Sequence, residues 1–485
     1  MADPAPSHAR RDLTNGPIGS TLLLFALPTL GSNILQSLNG SINSVWVGRF
    51  LGEDALAATS NANLIMFLMF SGVFGFGMAA TIVIGQSMGR RDVDAARRAM
   101  GTAIGLFCGV AMVIAISGWF FAPWLLDLLA TPAEVAPMAL AYLRVVFIAM
   151  PAAFLSVLLM MGLRGSGDSM TPLWYMGLSV VLDSGLNPVF ILGLGPAPEM
   201  GIAGSAMATA VASYVSMIGL VIHIYVRDLP LRLRGAELGY LKPDRALGKV
   251  IVAKGFPMGL QMLVVSVSAL AMIGLVNREG VVTTAAYGVT QQLWTYVQMP
   301  AMAIGAAVSA MAAQNIGAGR WDRIAAINRI GIGFNILLTG GMLALLTLFD
   351  HAALGLFLAP GSPALPIGEH INLVGGWSFI LFGITLVLFG TVRANGAVIG
   401  PLIILIVSTL PVRLGFAAGL MPVLGADAIW WSFPVGSIAS LALSAAYYYH
   451  GGWRKIHLID PPGEDQCHEQ ALADGEPGGK LSPTA

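Results

Sequence analysis

The sequence is organised as a succession of apolar segments, each long enough to cross a lipid bilayer. A transmembrane helix needs about 20 mostly apolar residues, and within lipid only helices and closed barrels satisfy all of their backbone hydrogen bonds. The chain is 56% hydrophobic and 10% charged, whereas a soluble domain is about 25% charged. We therefore expect an all-α integral membrane protein with twelve transmembrane helices. The predicted spans are 18–47, 55–86, 97–127, 134–163, 171–195, 200–226, 247–276, 283–314, 324–349, 369–393, 399–421 and 428–450.

The positions of the basic residues predict how these spans are oriented. Among the 25 Lys and Arg residues, only Arg49 and Arg278 fall in loops on the side opposite the N-terminus. Arg144 and Arg413 fall within spans, and all the others lie on the side of the N-terminus, which we call the basic side. Because cytoplasmic loops carry an excess of Lys and Arg, we expect both termini to be cytoplasmic. The prediction for the whole chain is a monomeric, multi-pass protein of the bacterial inner (plasma) membrane.

Polar stretches divide the chain into five regions. The connector after the sixth span is charged and contains proline, and the C-terminal end is polar and rich in Gly and Pro, a composition typical of disorder. The predicted regions are a cytoplasmic N-terminal segment (1–17), an N-lobe of six spans (18–226), a cytoplasmic connector (227–246), a C-lobe of six spans (247–450) and a disordered cytoplasmic tail (451–485).

The two lobes are repeats of each other. ALPTLG (26–31) parallels GFPMGL (255–260), IGQSMGRRDVDAARRA (84–99) parallels AQNIGAGRWDRIAAI (313–327), and LRGSGDSMTP (163–172) parallels VRANGAVIGP (392–401), always at an offset of 228–229 residues. Each repeat has an even number of spans, so both enter the membrane in the same orientation. We therefore expect two six-helix bundles related by an axis along the membrane normal, a parallel repeat known from secondary transporters.

The fifth span carries a single carboxylate, Asp183, near its middle. A charged Asp at the centre of a span costs about 2.5–3.5 kcal/mol, so such a residue marks a functional site by default. Ser179 and Asn187 lie on the same helical face at i−4 and i+4. Burial disfavours the charged form of a carboxylate, so Asp183 could alternate between binding a proton or cation and binding substrate. The alternative is a structural carboxylate that pairs with Arg144 or is hydrogen-bonded to the first span.

Polar residues in other spans supply candidates for the rest of the site. Asn43 of the first span and Asn187 are expected to form the coupling site with Asp183, with transient Na⁺ binding possible at Asp183 and Asn187. The candidates for the substrate cavity are Asn33, Gln36, Ser179, Gln261, Tyr287 and Gln291. For these residues, packing and hydrogen bonding between helices are the alternative role.

Several kinds of chemistry have no support in the sequence. There is no GxxxxGK[ST] loop for ATP and no HExxH pair, and the two cysteines show no metal-ligand spacing. We therefore expect no cofactor, no resident metal, no enzymatic activity and no nucleic-acid partner.

The repeated motifs resemble those of the multidrug and toxic compound extrusion (MATE) family. The similarity extends over about residues 18–450. It rests on NSVWVGRFLGEDALAA (43–58), GQSMGRRD (85–92), LRGSGDSMTP (163–172), LNPVFILGLGPAPEMGIAGSAMAT (186–209) and AAQNIGAGRWDR (312–323). The resemblance implies two six-helix lobes and cation-coupled export of organic cations and drugs by alternating access. It also implies that Pro28 in the first span acts as a hinge.

Within that family the sequence is closest to the DinF-like bacterial branch. It lacks the Glu of span seven and the Asp of span ten that mark the NorM-like branch, since Val265 and Phe382 stand near those positions. DinF-like members have an Asp in span one, and in span five an Asn followed four residues later by an Asp. Here the first position is Asn43, and Asp183 precedes Asn187. The carboxylate therefore stays in the N-lobe but lies one helical turn earlier.

The combined expectation is a secondary active antiporter. It would export amphipathic or cationic small molecules in exchange for H⁺, the favoured ion, or Na⁺. The alternative within the same superfamily is a flippase for lipid-linked precursors, for which a cavity with more charge would be expected. An intramembrane hydrolase would need a second catalytic acid or a Ser/His pair, and a channel would conduct continuously instead of exchanging.

Overall fold

The structure is a computed structural model that describes residues 12–128, 131, 133–194, 198–359, 361–456 and 458. The helices are α1 (Ile18–Gly89), α2 (Val93–Leu128), α3 (Ala136–Gly165), α4 (Met170–Leu192), α5 (Ile202–Val226), α6 (Arg245–Asn277), α7 (Val281–Gly317), α8 (Trp321–Leu348), α9 (Asp350–Gly355), α10 (Ala364–Gly375), α11 (Ser378–Ala394), α12 (Ile399–Val407), α13 (Gly415–Leu424) and α14 (Asp427–His450). Two 3-10 turns, Gly235–Leu241 and Gly452–Lys455, and a π-helical turn, Ser408–Leu414, are also present.

The predicted all-α fold with twelve spans is confirmed. Eleven described helical stretches are long and apolar enough to cross a membrane, and α10 with α11, bent by 42° at their break, supplies a twelfth. The first two spans, Ile18–Gly52 and Ile65–Gly89, lie within α1. They are separated by a kink at Gly52, whose φ of 86° is costly for any residue with a side chain.

The two lobes contact each other closely on the basic side. Gln86 of α1 donates through Nε2 to the carbonyl oxygen of Ala394 at 2.7 Å. The equivalent Gln314 of α7 donates to the carbonyl oxygen of Gly165 at 2.9 Å. Since Gly165 and Ala394 are themselves equivalent in the repeat, the two bonds form a pseudo-symmetric pair across the lobe boundary.

Two equivalent glycines allow this approach. A Cβ atom at Gly89 would lie 2.0 Å from the backbone oxygen of Gln314, and one at Gly317 would lie 2.0 Å from that of Gln86. Such distances do not occur between real atoms, so the closed contact requires glycine at both positions. The lobes are therefore closed against each other on the basic side.

The polar ends of the chain take part in the same closure where they are described. Asn315 donates to the carbonyl oxygen of Leu13 at 3.0 Å, and Arg320 donates to that of Thr14 at 2.6 Å. The predicted N-terminal segment, as far as residues 12–17 show it, is thus held by the C-lobe. Residues 1–11 lie outside the described residues.

The predicted disorder of the C-terminal tail is wrong for its first residues. Trp453 is fully buried, and Asn395 donates through Nδ2 to the carbonyl oxygens of Trp453 at 2.9 Å and Ile456 at 2.8 Å. Composition predicted a disordered tail from Gly451, but the Trp453 ring packs against Tyr448 of α14 and Trp321 of α8. The rest of the predicted tail, 459–485, lies outside the described residues.

Candidate functional site

Asp183 lies inside the N-lobe with its carboxylate enclosed by polar side chains. The residue is 1% exposed. Its Oδ2 atom accepts hydrogen bonds from Nδ2 of Asn39 at 2.8 Å and from Nδ2 of Asn43 at 2.9 Å. Its Oδ1 atom accepts from the Thr209 hydroxyl at 3.1 Å and from Nδ2 of Asn187 at 3.2 Å. All four donors are neutral.

Three helices bring these groups together. Asn39 and Asn43 are four residues apart on α1, and Asp183 and Asn187 are four residues apart on α4, so each pair lies on one helical face. Thr209 comes from α5, whose first turns are rich in small residues. A Cβ at Gly204 would lie 2.4 Å from the carbonyl oxygen of Phe190, so glycine lets α5 approach α4 closely enough for Thr209 to reach the carboxylate.

The two asparagines nearest the carboxylate also bind each other. Asn187 donates through Nδ2 to Oδ1 of Asn43 at 2.8 Å and to the backbone oxygen of Asp183 at 2.8 Å. Asn43 therefore accepts from one partner while it donates to Asp183. This closed arrangement fixes the direction of both amides.

No cation neutralises Asp183 among the residues that the structure describes. The sequence offers Arg144 as an ion-pair partner for Asp183. In the structure the Arg144 guanidinium lies over the ring of Trp119, with 5.4 Å between its Cζ and the ring centroid. An unpaired buried carboxylate is costly as an anion. The geometry is consequently suited to a carboxyl group that takes up and releases a proton or a small cation.

Two enclosed oxygen atoms at the same place are without a partner. Oδ1 of Asn39 and Oδ1 of Asn187 are buried and accept no hydrogen bond from the described chain. Buried polar atoms are almost always paired. Either oxygen would accept from a protonated Asp183 or bind a cation only after its amide turns, because the N–H group of each now faces the carboxylate. No group of three or more His, Cys, Asp or Glu side chains that could hold a metal occurs in the described part of the chain.

Sequence reasoning identified three members of this cluster and missed two. The structure brings together Asp183, Asn187 and Asn43 as expected. Of the two structural roles considered for Asp183, a pair with Arg144 or a hydrogen bond to the first span, the structure contains the hydrogen bond. Asn39 was missed because the predicted polar stripe on the first span passes through other positions, although Asn39 precedes Asn43 by one turn. Thr209 was missed as a site residue although it ends the segment GIAGSAMAT that opens the sixth span.

The other N-lobe candidates make no hydrogen bond to Asp183 in the described structure. Gln36 is exposed, and Asn33 and Ser179 are partly buried. None of them takes part in the hydrogen bonds at the carboxylate. Pro28 is buried within α1, and its carbonyl oxygen accepts from the Ser32 hydroxyl at 3.0 Å.

The C-lobe candidates lie in two different places. Gln261 is 4% exposed, donates to the carbonyl oxygen of Val398 at 3.3 Å and accepts from Arg393. Tyr287 is also buried, stacked on Trp430 with 5.8 Å between ring centroids. Gln291, one turn further along α7, is partly buried. The structure therefore does not gather these three around a single point.

Comparisons with known proteins agree with this arrangement. The sequence model of the MatE family matches residues 28–189 and again 257–418, two segments that start and end 229 residues apart. A probable multidrug resistance protein of Bacillus subtilis strain 168, YoeA, is 36% identical over 443 residues, covering 90% of this chain and 95% of the relative. A second from the same organism, YpnP, is 30% identical and covers 92% and 98%. Among solved structures, a MATE crystal structure in complex with MaL6 superposes with a TM-score of 0.84 at 20% identity, covering 91% of this chain and 98% of that one.

Proposed function

This chain belongs to the MatE family, and from that premise we propose that it exports amphipathic or cationic small molecules in exchange for protons that bind at Asp183. Membership makes it a multi-pass membrane transporter related to multidrug resistance proteins. What we propose beyond family membership is the identity of the exchanged ion and of the residues that bind it. The relatives do not favour the flippase for lipid-linked precursors.

One observation carries the proposal: the Asp183 carboxylate is 1% exposed and is surrounded by four neutral donors, with no cation beside it in the described part of the chain. The donors stabilise the anion, because hydrogen bonds to a charged group contribute about 1.5–3 kcal/mol each. Burial opposes them by favouring the neutral acid. A carboxyl group balanced in this way can change its protonation state when water or substrate reaches it, as proton-driven antiport requires.

The arrangement favours H⁺ over Na⁺ as the coupling ion. All three asparagines present their N–H groups to the carboxylate. A proton on Asp183 needs one acceptor, which the unpaired Oδ1 of Asn39 would supply if that amide turned. Sodium takes several oxygen ligands, so more than one amide would have to rotate its oxygen toward the ion.

The closed contact on the basic side supports alternating access. With the basic side at the cytoplasm of a bacterial inner membrane, as the excess of Lys and Arg there predicts, a protein closed on that side would face outward. In this state Asp183 would take up its proton from the outside. Return to the inward-facing state would break the bonds of Gln86 and Gln314 and admit substrate from the cytoplasm.

The test is flux in proteoliposomes with Asp183→Asn. Asn keeps the shape of the side chain and removes its proton site, so efflux of a fluorescent organic cation driven by an imposed pH gradient should fall to the level of empty liposomes. The exposed Asp127 at the end of α2 gives a matched control, because Asp127→Asn should transport like the parent. A sodium gradient applied separately should drive little flux in the parent.

Undiminished proton-driven efflux by Asp183→Asn, at the same elution profile and melting temperature as the parent, would remove the coupling role of this residue. Flux in the parent that responds to sodium alone would replace the proposed ion.

A further inference from the structure

A second charged group lies inside the transmembrane region, in the C-lobe, without an oppositely charged partner. Arg413 is part of the π-helical turn Ser408–Leu414 between α12 and α13. Its Cζ atom lies 3.7 Å from the centroid of the Phe433 ring of α14. Gly436 makes room for it, since a Cβ there would be 3.0 Å from Cβ of Arg413. No ion pair or hydrogen bond of this guanidinium occurs in the described chain.

Phe433 belongs to a cluster of aromatic side chains in the C-lobe. Tyr287 of α7 and Trp430 of α14 are further members. The Tyr287 ring stacks on Trp430 and is 6.3 Å from the Phe433 ring between centroids. Trp430 and Tyr287 are 2% and 3% exposed, so both rings are packed inside the C-lobe.

The buried part of the Arg413 side chain lacks a hydrogen-bond partner. Its Nε atom is buried and unpaired, while the residue as a whole is partly exposed. A guanidinium offers five N–H donors in a fixed plane. Two of them can bind both oxygens of one carboxylate or sulfonate at the same time. Cation–π contact with Phe433 stabilises the charge and leaves these donors unused.

Arg413 lies close to the C-lobe position that corresponds to Asp183 in the repeat, and a π-helical turn contains it. The match of Pro172 to Pro401 places Val412 opposite Asp183. In the turn the Gly415 amide donates to the Leu410 oxygen, five residues back, so the turn holds one residue more than an α-helical turn. Arg413 therefore directly follows the C-lobe residue that the repeat matches to Asp183.

We propose that Arg413, with Tyr287, Trp430 and Phe433, forms a binding site for aromatic organic anions. The carboxylate or sulfonate of such a molecule would bind the guanidinium, and its ring would pack against the aromatic side chains. This inference rests on the proposed transport function, since it extends the range of substrates from cations to anionic and zwitterionic amphipathic molecules. The two lobes then have different roles, because a carboxylate binds the coupling proton in the N-lobe and a guanidinium binds the substrate anion in the C-lobe.

Equilibrium binding of two matched probes tests the site. 2-Naphthoate and 2-naphthylmethylammonium share one ring system and differ in charge, and calorimetry on the purified full-length chain in lipid nanodiscs measures both. We expect Arg413→Met to weaken naphthoate binding at least tenfold and to leave binding of the ammonium probe within twofold. Arg413→Lys, which keeps the charge but not the planar fork, should give an intermediate loss.

Arg144 offers the matched control, because it is the other arginine placed within a span and it lies over Trp119 in the N-lobe. Arg144→Met should leave naphthoate binding unchanged. Equal naphthoate affinity in Arg413→Met and parent, or an equal loss of both probes, would overturn the proposal.

A comparison that needs no variant keeps the proposal testable if Arg413→Met does not fold. In the unaltered chain, naphthoate should bind at least tenfold more tightly than the uncharged 2-naphthalenemethanol, and equal affinities would overturn the site. Because these are equilibrium measurements without a gradient, a failure of proton coupling at Asp183 would leave their outcome unaffected.

Discussion

At the scale of single residues, the Asp183 carboxylate depends on donors from three different helices. Asn39 and Asn43 fix its position relative to α1, and Thr209 fixes it relative to α5. The three helices can move relative to each other only if these bonds change. The protonation state of one side chain is thus linked to the packing of half the N-lobe.

Thr209→Val tests this link with little change in shape. Valine removes the hydroxyl donor at 3.1 Å and keeps the branched side chain. The charged carboxylate loses about 1.5–3 kcal/mol of stabilisation, which is tenfold or more in an equilibrium. We therefore expect proton-driven efflux to fall by roughly tenfold, measured as initial rates in proteoliposomes.

Thr385 serves as the control for that substitution. It is 1% exposed, whereas Thr209 is partly buried, and its hydroxyl donates at 3.1 Å to the Leu381 oxygen of its own helix. Thr385→Val should transport at the rate of the parent. If both variants lose activity equally, the loss comes from removing any buried hydroxyl and not from the bond to Asp183.

At the scale of helices, hydropathy alone located the spans, because lipid requires each of them to be a long apolar run. Hydropathy does not determine which face of a polar helix meets its neighbour. The predicted stripe through Asn33 and Gln36 is therefore displaced from the face that carries Asn39. The bend between α10 and α11 and the π-helical turn around Arg413 were also missed, since both depend on packing against other helices.

Pro28 provides a prediction at this scale, because it remains a hinge candidate inside α1. Proline lacks the N–H that would bond to the carbonyl four residues earlier, and α1 carries both Asn39 and Asn43 beyond it. Pro28→Ala restores that bond and straightens the helix. We expect slower transport with an unchanged or higher melting temperature, and unchanged transport rates would show that the proline only shapes the helix.

At the scale of the whole molecule, the internal repeat explains how the basic side closes. The offset between the halves, read from the sequence, predicted that Gln86 and Gln314 are equivalent, but it did not predict that each would bond to the opposite lobe. That pairing depends on how the two bundles pack, which no local pattern specifies. The closure therefore consists of two equivalent contacts, one at Gln86 and one at Gln314. We expect both contacts to break or form together.

Gly317→Ala tests whether this closure is an obligatory state of the transport cycle. The added Cβ would lie 2.0 Å from the backbone oxygen of Gln86, and a backbone atom cannot move aside as a flexible side chain can. The variant should fold, since the contact lies between lobes, but it should remain open on the basic side.

Gly333→Ala is the control, because a Cβ at Gly333 meets no atom within 4 Å. Spin labels on the exposed positions Arg98 and Asp322, one in each lobe, report the separation by pulsed electron resonance. We expect a longer distance in Gly317→Ala than in the parent or the control, together with a loss of efflux. A distance distribution like that of the parent would show that the lobes close by another contact.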